Sequence, residues 1–163
     1  MFGKTRHIHI VGIGGAGLSG IAEILLKLEF KVSGSDLRST EVTDHLVEIG
    51  ADIYTGHSGN QIKNADVVVV SPAIPLENPE IVAARNQKTP IIRGAEMLAE
   101  IMRMKFSIAI SGTHGKTTTT AMTAAVLEEL DPTVIVGGKL ISLGSHARIG
   151  SSDMMVVEAD EAY

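Results

Sequence analysis

The sequence predicts an α/β protein: a Rossmann-like parallel-sheet domain followed by the beginning of a second, P-loop α/β domain. Three observations carry that expectation. Short β-branched runs alternate with stretches of helical periodicity, the pattern of βαβ units around a parallel sheet. A glycine fingerprint, GIGGAG at Gly12 to Gly17, follows the first such run. A second glycine turn, GTHGKTTTT from Gly112 to Thr120, follows a run at which the pattern starts afresh.

The elements follow in order. His7 to Val11 is the first strand, and after the glycines Ile21, Ile24, Leu25 and Leu28 recur at helical spacing as one apolar face. Phe30 to Ser35 is a strand, Glu41 to Ile49 a helix and Ala51 to Thr55 a third strand. Val67 to Val70 is uninterrupted valine stopped by Ser71-Pro72, as expected of a central strand buried on both faces. Asn78 to Asn86 reads as a helix, Pro90 to Arg93 as a short strand, and Ala95 to Met104 as a helix with Leu98, Ile101, Met102 and Lys105 on one side. The first domain closes near residue 105, so the expected division is 1–105 and 106–163. In the second unit Phe106 to Ile110 is a strand, and Thr117 to Leu130 a helix with Met122, Ala125 and Val126 on its apolar face. Thr133 to Val136 and Met154 to Val157 are strands, and the glycine-rich GGKLISLGSHARIG between them reads as a loop. One helix cannot cover both faces of a parallel sheet, so the expectation is the front part of a longer protein whose C-terminal domain is not included.

Composition narrows the partners. The 163 residues are 44% hydrophobic and 20% charged, ordinary for a globular protein. A net charge of -5 and a pI near 5.6 argue against nucleic acid bound by bulk electrostatics, yet leave room for a small anion held by backbone N–H groups. Without cysteine there is no disulfide frame, thiol nucleophile or thiolate metal site. No apolar run approaches the roughly 18 residues that cross a bilayer, and MFGKTRHIHIVG lacks a signal-peptide pattern, so a cytoplasmic protein without a membrane partner is expected.

In the first loop, Gly12, Gly14 and Gly17 match G-x-G-x-x-G between strand and helix, with Asp36 at the end of the next strand. Glycines permit a tight turn and close approach of a pyrophosphate to the helix N-terminus, and the acid can accept from a ribose hydroxyl. The ligand read from this motif is a dinucleotide such as NAD or another nucleotide diphosphate; the motif does not choose.

The second loop is not a strict Walker A, because Ile110 stands where its first glycine belongs. Gly112-Thr113-His114-Gly115-Lys116-Thr117 is the shorter G-T-x-G-K-T form between an apolar strand and a helix. Its backbone N–H groups make an anion nest, Lys116 neutralises phosphate charge and the Thr117 hydroxyl can ligate Mg²⁺. The run Met154 to Val157 ends in Glu158, followed by Asp160 and Glu161. Carboxylates at such strand ends suit Mg²⁺, which takes one or two beside phosphates and waters, and Glu158 is the best candidate against the plainer reading of a solvated strand end. Other residues carry less. His7 and His9 alternate along the first strand and read as a half-exposed face rather than metal ligands; His114 has no argument for catalysis; the methionines read as gap-filling core hydrophobes.

HIVGIGGAGLSGIAEIL, VSGSD, SPAI with NPEIVAAR, RGAEMLAEIM, SGTHGKTTTTAM, DPTVIVGG, HARIG and EADE together resemble the Mur ligases, through nearly the whole chain. That resemblance implies a Rossmann-like UDP-substrate domain, a central ATPase domain and a C-terminal amino-acid domain, in an enzyme of peptidoglycan precursor synthesis. Its implied substrates are UDP-N-acetylmuramate and L-alanine, with ATP and Mg²⁺, joined by way of an acyl phosphate. By the same resemblance Gly14, Gly15, Ala16, Gly17 and Ser19 hold the UDP diphosphate, and Asp36 and Ser71 frame the uridine end. Gly112, Thr113, His114, Gly115, Lys116, Thr117 and Thr118 bind ATP, with Lys116 catalytic on the γ-phosphate and Thr117 and Glu158 on the metal. EADEAY stands where the family commonly reads EADESD, and Gly94 where it often has arginine. The competing classes are an NAD(P)-dependent oxidoreductase, which leaves GTHGKT and the acidic strand end without a task, and a nucleotide-binding regulatory module.

Overall fold

The computed structural model of the chain describes residue 3, residues 5–136 and residues 147–159. Its first part runs β1 (His7–Val11), α1 (Ala16–Lys27), β2 (Lys31–Asp36), α2 (Glu41–Glu48), β3 (Asp52–Thr55), β4 (Val67–Val70), α3 (Pro79–Gln87), β5 (Ile91–Arg93) and α4 (Gly94–Met102). The five strands pair in parallel in the order β3-β2-β1-β4-β5. The chain thus winds outward in both directions from β1, and the strand order reverses between β1 and β4. In open α/β sheets the crevice outside the carboxyl ends at such a reversal is where ligands bind.

Periodicity explains the two layers. Ile8 and Ile10 of β1 with Val67 and Val69 of β4 face α1 (Ile21, Ile24, Leu25) and α4 (Met97, Leu98, Ile101) in one core. Val11 and Val68 point the other way, into a smaller cluster with Ile62 and with Ala84 of α3. The valine run is therefore buried on both faces, as its composition predicts. Local chemistry sets the helix starts. Thr40 caps α2 by accepting from Thr43 N–H at 3.3 Å while the Thr43 hydroxyl accepts from Thr40 N–H at 2.8 Å. Asn78 caps α3, its Oδ1 accepting from Glu80 N–H at 2.9 Å, with Pro79 at the first helical position where its missing donor costs nothing.

The second part comprises β6 (Phe106–Ile110), α5 (Lys116–Val126), a 3-10 turn (Glu128–Leu130), β7 (Thr133–Ile135), β8 (Ala147–Arg148) and β9 (Met154–Glu158), with sheet order β6-β9-β7-β8. Ile135, Met155 and Val157 belong to the same buried cluster as the α1 and α4 face, so apolar packing is continuous from the first sheet to the second.

Five expectations are corrected. The glycine-rich segment is not wholly loop: its end forms β8, antiparallel to β7, with the Arg148 guanidinium 3.1 Å from an Asp131 carboxylate that also accepts from Ser151. The rest of that segment, residues 137–146, lies outside the described residues, as do Asp160 and Glu161. Helix α5 stops at Val126 and tightens into the 3-10 turn rather than running to Leu130. Its Met122–Val126 face is exposed, 65% and 83% at those two residues, and Thr120 is its buried residue; apolar spacing marks a face without supplying a cover. Met97 and Met155 fill core positions, but Met104 and Met122 do not. Finally, His9 is fully buried, because α3 lies over the face of β1 on which it points.

Candidate functional site

Both glycine loops sit at strand carboxyl ends, as their sequences predict. After β1, Gly12 turns at φ +80°, and a Cβ there would lie 3.3 Å from Ile74 Cδ1 and 3.7 Å from Ser71 Cβ, so the loop passes close beneath the segment leaving β4. The Ser35 carbonyl accepts from Gly12 N–H (2.8 Å) and Ile13 N–H (3.1 Å). Gly15 N–H donates to the Gly12 carbonyl at 3.0 Å, and Gly14 N–H donates to Asp36 Oδ2 at 2.9 Å. The first bond within the helix runs from Ser19 N–H to the Gly15 carbonyl, so the N–H groups of Ala16, Gly17 and Leu18 precede it. An anion at α1 meets those groups directly, whereas at Gly14 it competes with the Asp36 carboxylate. Ser19 is buried in the first turn. Ser71 lines a cavity of about 410 Å³ with Ile74, Ile81, Ile91, Arg85 and Arg93, where two guanidinium groups stand beside an apolar wall.

The second loop is built similarly. Gly115 precedes α5 at φ +77°, a left-handed conformation that costs a side-chain-bearing residue about 1 kcal/mol. Lys116 Nζ donates to the Gly112 carbonyl at 3.0 Å, holding the ammonium over the turn, and His114 is exposed. Parallel pairing of β6 with β9 puts Ile110 opposite Glu158, which carries Glu158 to the mouth of the loop. There the Thr117 hydroxyl lies 3.0 Å from each Glu158 carboxylate oxygen and donates to the carboxylate. At 3% exposure Glu158 is not a solvated strand end. Threonine hydroxyl and carboxylate form a hard-oxygen pair at the foot of an anion loop with a lysine, a donor set that fits Mg²⁺ shared with phosphates. Among the described residues no cluster of three or more His, Asp or Glu could hold a metal unaided, so an ion here draws its remaining ligands from phosphate and water. Thr120 is explained as well: its hydroxyl donates back to the Lys116 carbonyl at 2.8 Å, satisfying itself inside the helix against β9.

Sequence reasoning missed a third group. Beneath the first loop, between β1, β2 and α3, His9 Nε2 lies 2.9 Å from Glu80 Oε2 and its Nδ1 2.8 Å from Ser33 Oγ. His7 Nε2 is 2.7 Å from the same hydroxyl. Ser35 Oγ donates to Glu80 Oε2 at 2.8 Å, and His57 Nδ1 stands 3.0 Å from Glu80 Oε1. Burial pushes the Glu80 carboxyl up, but hydrogen bonds from His9, Ser35 and His57 outweigh it and hold its pKa below the usual carboxylate value. Burial also holds His7 below the ordinary imidazole value. The available signal was a histidine between Ile8 and Ile10 in a strand buried on both faces, where a polar side chain demands a partner.

Fold and site together define a doubly wound α/β protein that presents two nucleotide-type glycine loops at strand ends. Residues 7–106 match the model of the Mur ligase family, catalytic domain, and the chain belongs to that family. It is 55% identical, over 99% of its length, to the UDP-N-acetylmuramate–L-alanine ligase of Geotalea daltonii, and 56% identical over 98% to that of Myxococcus xanthus. The chain spans 36% and 35% of those relatives, about a third of their length. Among solved structures, the UDP-N-acetylmuramate-alanine ligase of Thermotoga maritima superposes with TM-score 0.81 at 36% identity, covering 93% of this chain and 37% of that one. The UDP-N-acetylmuramate:L-alanyl-gamma-D-glutamyl-meso-diaminopimelate ligase of Neisseria meningitides superposes with TM-score 0.85 at 34% identity, covering 96% and 53%. No helix among the described residues is long and apolar enough to cross a membrane.

Proposed function

We propose that this chain is the N-terminal part of a cytoplasmic ATP-dependent ligase that joins L-alanine to UDP-N-acetylmuramate, with residues 1–105 binding the UDP substrate and residues 106–163 opening the ATP-binding domain. The observation that carries the reading is the Thr117–Glu158 pair at 3.0 Å beside Lys116, at the foot of a second phosphate loop in a chain that already has one. An oxidoreductase using the first loop has no use for that arrangement. The 55% identity to ligases of this activity supports the same reading.

The chemistry assigns each loop a task. A carboxylate is a poor electrophile, and phosphorylation gives the muramate carboxyl a leaving group that the amine of L-alanine displaces. Catalysis of the phosphoryl transfer is mainly positioning and charge neutralisation. The N–H groups at the start of α1, with Gly14 to Gly17 and Ser19, hold the UDP diphosphate, while Asp36 and Ser71 frame the uridine end. Gly112 to Thr118 cradle ATP, and Lys116 draws charge from its γ-phosphate. Thr117 and Glu158 hold Mg²⁺, which when bound neutralises the phosphate oxygens.

Isothermal titration of the chain with UDP-N-acetylmuramate, UDP and NADH tests the first site. Saturable heat with the two uridine ligands and none with NADH is expected. Binding of NADH without UDP-N-acetylmuramate would return the chain to the oxidoreductase class.

A further inference from the structure

The buried group between β1, β2 and α3 has a hydrogen count that can be closed. The Asn64 carbonyl, 3.0 Å from His7 Nδ1, only accepts, so His7 Nδ1 carries a hydrogen. The Glu80 carboxylate also only accepts, so His9 Nε2 and His57 Nδ1, facing its two oxygens, carry hydrogens. The second ring nitrogens of His7 and His9, Nε2 and Nδ1 respectively, both face the single hydroxyl of Ser33, at 2.7 and 2.8 Å. With neutral imidazoles both nitrogens are lone pairs, and Ser33 has one hydrogen for the two. One nitrogen is then left against an oxygen lone pair, where His9 and Ser33 are buried. A single added proton resolves the conflict: one ring donates to Ser33 Oγ, and Ser33 donates to the other ring.

Surroundings decide where that proton rests. Glu80 accepts from His9, Ser35 and His57 and from Ser58 N–H at 3.3 Å, bonds that favour the carboxylate over the acid. Burial disfavours a charged His7, which also neighbours Lys31, although Asp66 lies close by. His9 remains, in contact with the carboxylate and with the Tyr54 ring 6.5 Å away. The remaining link is Ser35. Its hydroxyl donates to Glu80 while its carbonyl accepts from Gly12 and Ile13 N–H, so Glu80 is tied to the first glycine loop through one residue.

We propose that His9 is a buried imidazolium paired with the Glu80 carboxylate, and that this pair is a positioning device which fixes the first glycine loop through Ser35. The positioning half rests on the reading of that loop as the UDP-substrate site; the proton half does not. An ion pair here answers the cost of burying either charge alone, and it fixes β1, β2 and α3 in one register beneath the loop.

Histidine-ring ¹⁵N–¹H correlation spectra of the labelled chain at neutral pH, assigned with His7→Gln and His9→Gln, read the proton directly. His9 shows both nitrogens protonated, and His7 and His57 show one each. In Ser33→Ala, which removes the shared hydroxyl, His9 reverts to the singly protonated pattern. A singly protonated His9 in the unsubstituted chain overturns the proton count. For positioning, Glu80→Gln weakens UDP-N-acetylmuramate binding about tenfold, and in the full-length protein raises its KM by the same factor with KM for ATP unchanged. Should Glu80→Gln fail to fold, Ser35→Ala cuts the same link at one buried hydroxyl and gives the same loss. Affinity within about twofold of the parent in a folded variant overturns the positioning role. A chain with a doubly protonated His9 that ignores UDP-N-acetylmuramate refutes the site assignment while upholding the proton count.

Discussion

Gly34, in the middle of β2, is the position at which a single methyl group does most to the first loop. Its φ lies outside the left-handed region, so alanine is conformationally allowed there, and the lost chain entropy of glycine favours the substitution by about 0.5–1 kcal/mol. Sterics run the other way. A Cβ on Gly34 would lie 2.6 Å from Ile13 Cδ1, 2.8 Å from Ile13 Cβ and 2.7 Å from the Ile10 carbonyl oxygen. The first contact can be relieved by a rotamer change; the other two atoms are fixed to the backbone of β1 and of the loop. Overpacking costs typically about 1–3 kcal/mol, and with two immovable contacts the upper end applies, leaving a net loss of roughly 2 kcal/mol. For a chain of this size that lowers Tm by roughly 4–8 °C. Because relief requires moving Ile13, affinity for UDP-N-acetylmuramate falls in the same variant. Urea unfolding of Gly34→Ala beside the parent, followed by titration of the nucleotide sugar, measures both. An unfolding free energy unchanged to within about 0.5 kcal/mol, or increased, would show that β1 and its loop yield freely and would refute the account of a rigid loop seat.

Other consequences are open to measurement. In the full-length protein Lys116→Ala abolishes turnover while UDP-N-acetylmuramate affinity survives; loss of both would mean that the two loops are not separate sites. Thr117→Val keeps the shape and removes the hydroxyl that faces Glu158 at 3.0 Å, so half-maximal activity shifts to higher Mg²⁺, by roughly tenfold for one lost ligand; an unchanged Mg²⁺ titration argues against the metal role. Acid weakens the fold in two stages. His7, held below its ordinary 6.5, contributes stability that is present above that pH and lost as pH falls through its lowered value. Glu80, held below 4.5, contributes stability present above that pH and lost further down. Urea midpoints therefore decline from pH 6.5 toward pH 4, with the upper stage missing in His7→Gln; a midpoint rising on acidification within that window contradicts both signs.

What the sequence determined by itself was local. The valines of β4, the spacing of Ile21, Ile24 and Leu25, the glycines at Gly12 and Gly115 and the capping residues before α2 and α3 each act over a few residues, so element order and both loops were readable. Glu158 was readable too, as an acid ending an apolar strand, although its contact with Thr117 exists only because β6 and β9 pair with Ile110 opposite Glu158. Tertiary structure alone decided the rest. Two-residue β8 is too short to have a period and exists by pairing with β7. The Met122–Val126 face looks like core in sequence and is exposed, since periodicity tells which side is apolar and not what lies against it. His9 and Glu80 are 71 residues apart, and neither carries a local sign of the other. Placing α3 over β1 and β2 buries both, and burial turns two ordinary surface-type residues into a pair that must share charge, hydrogen bonds and a proton.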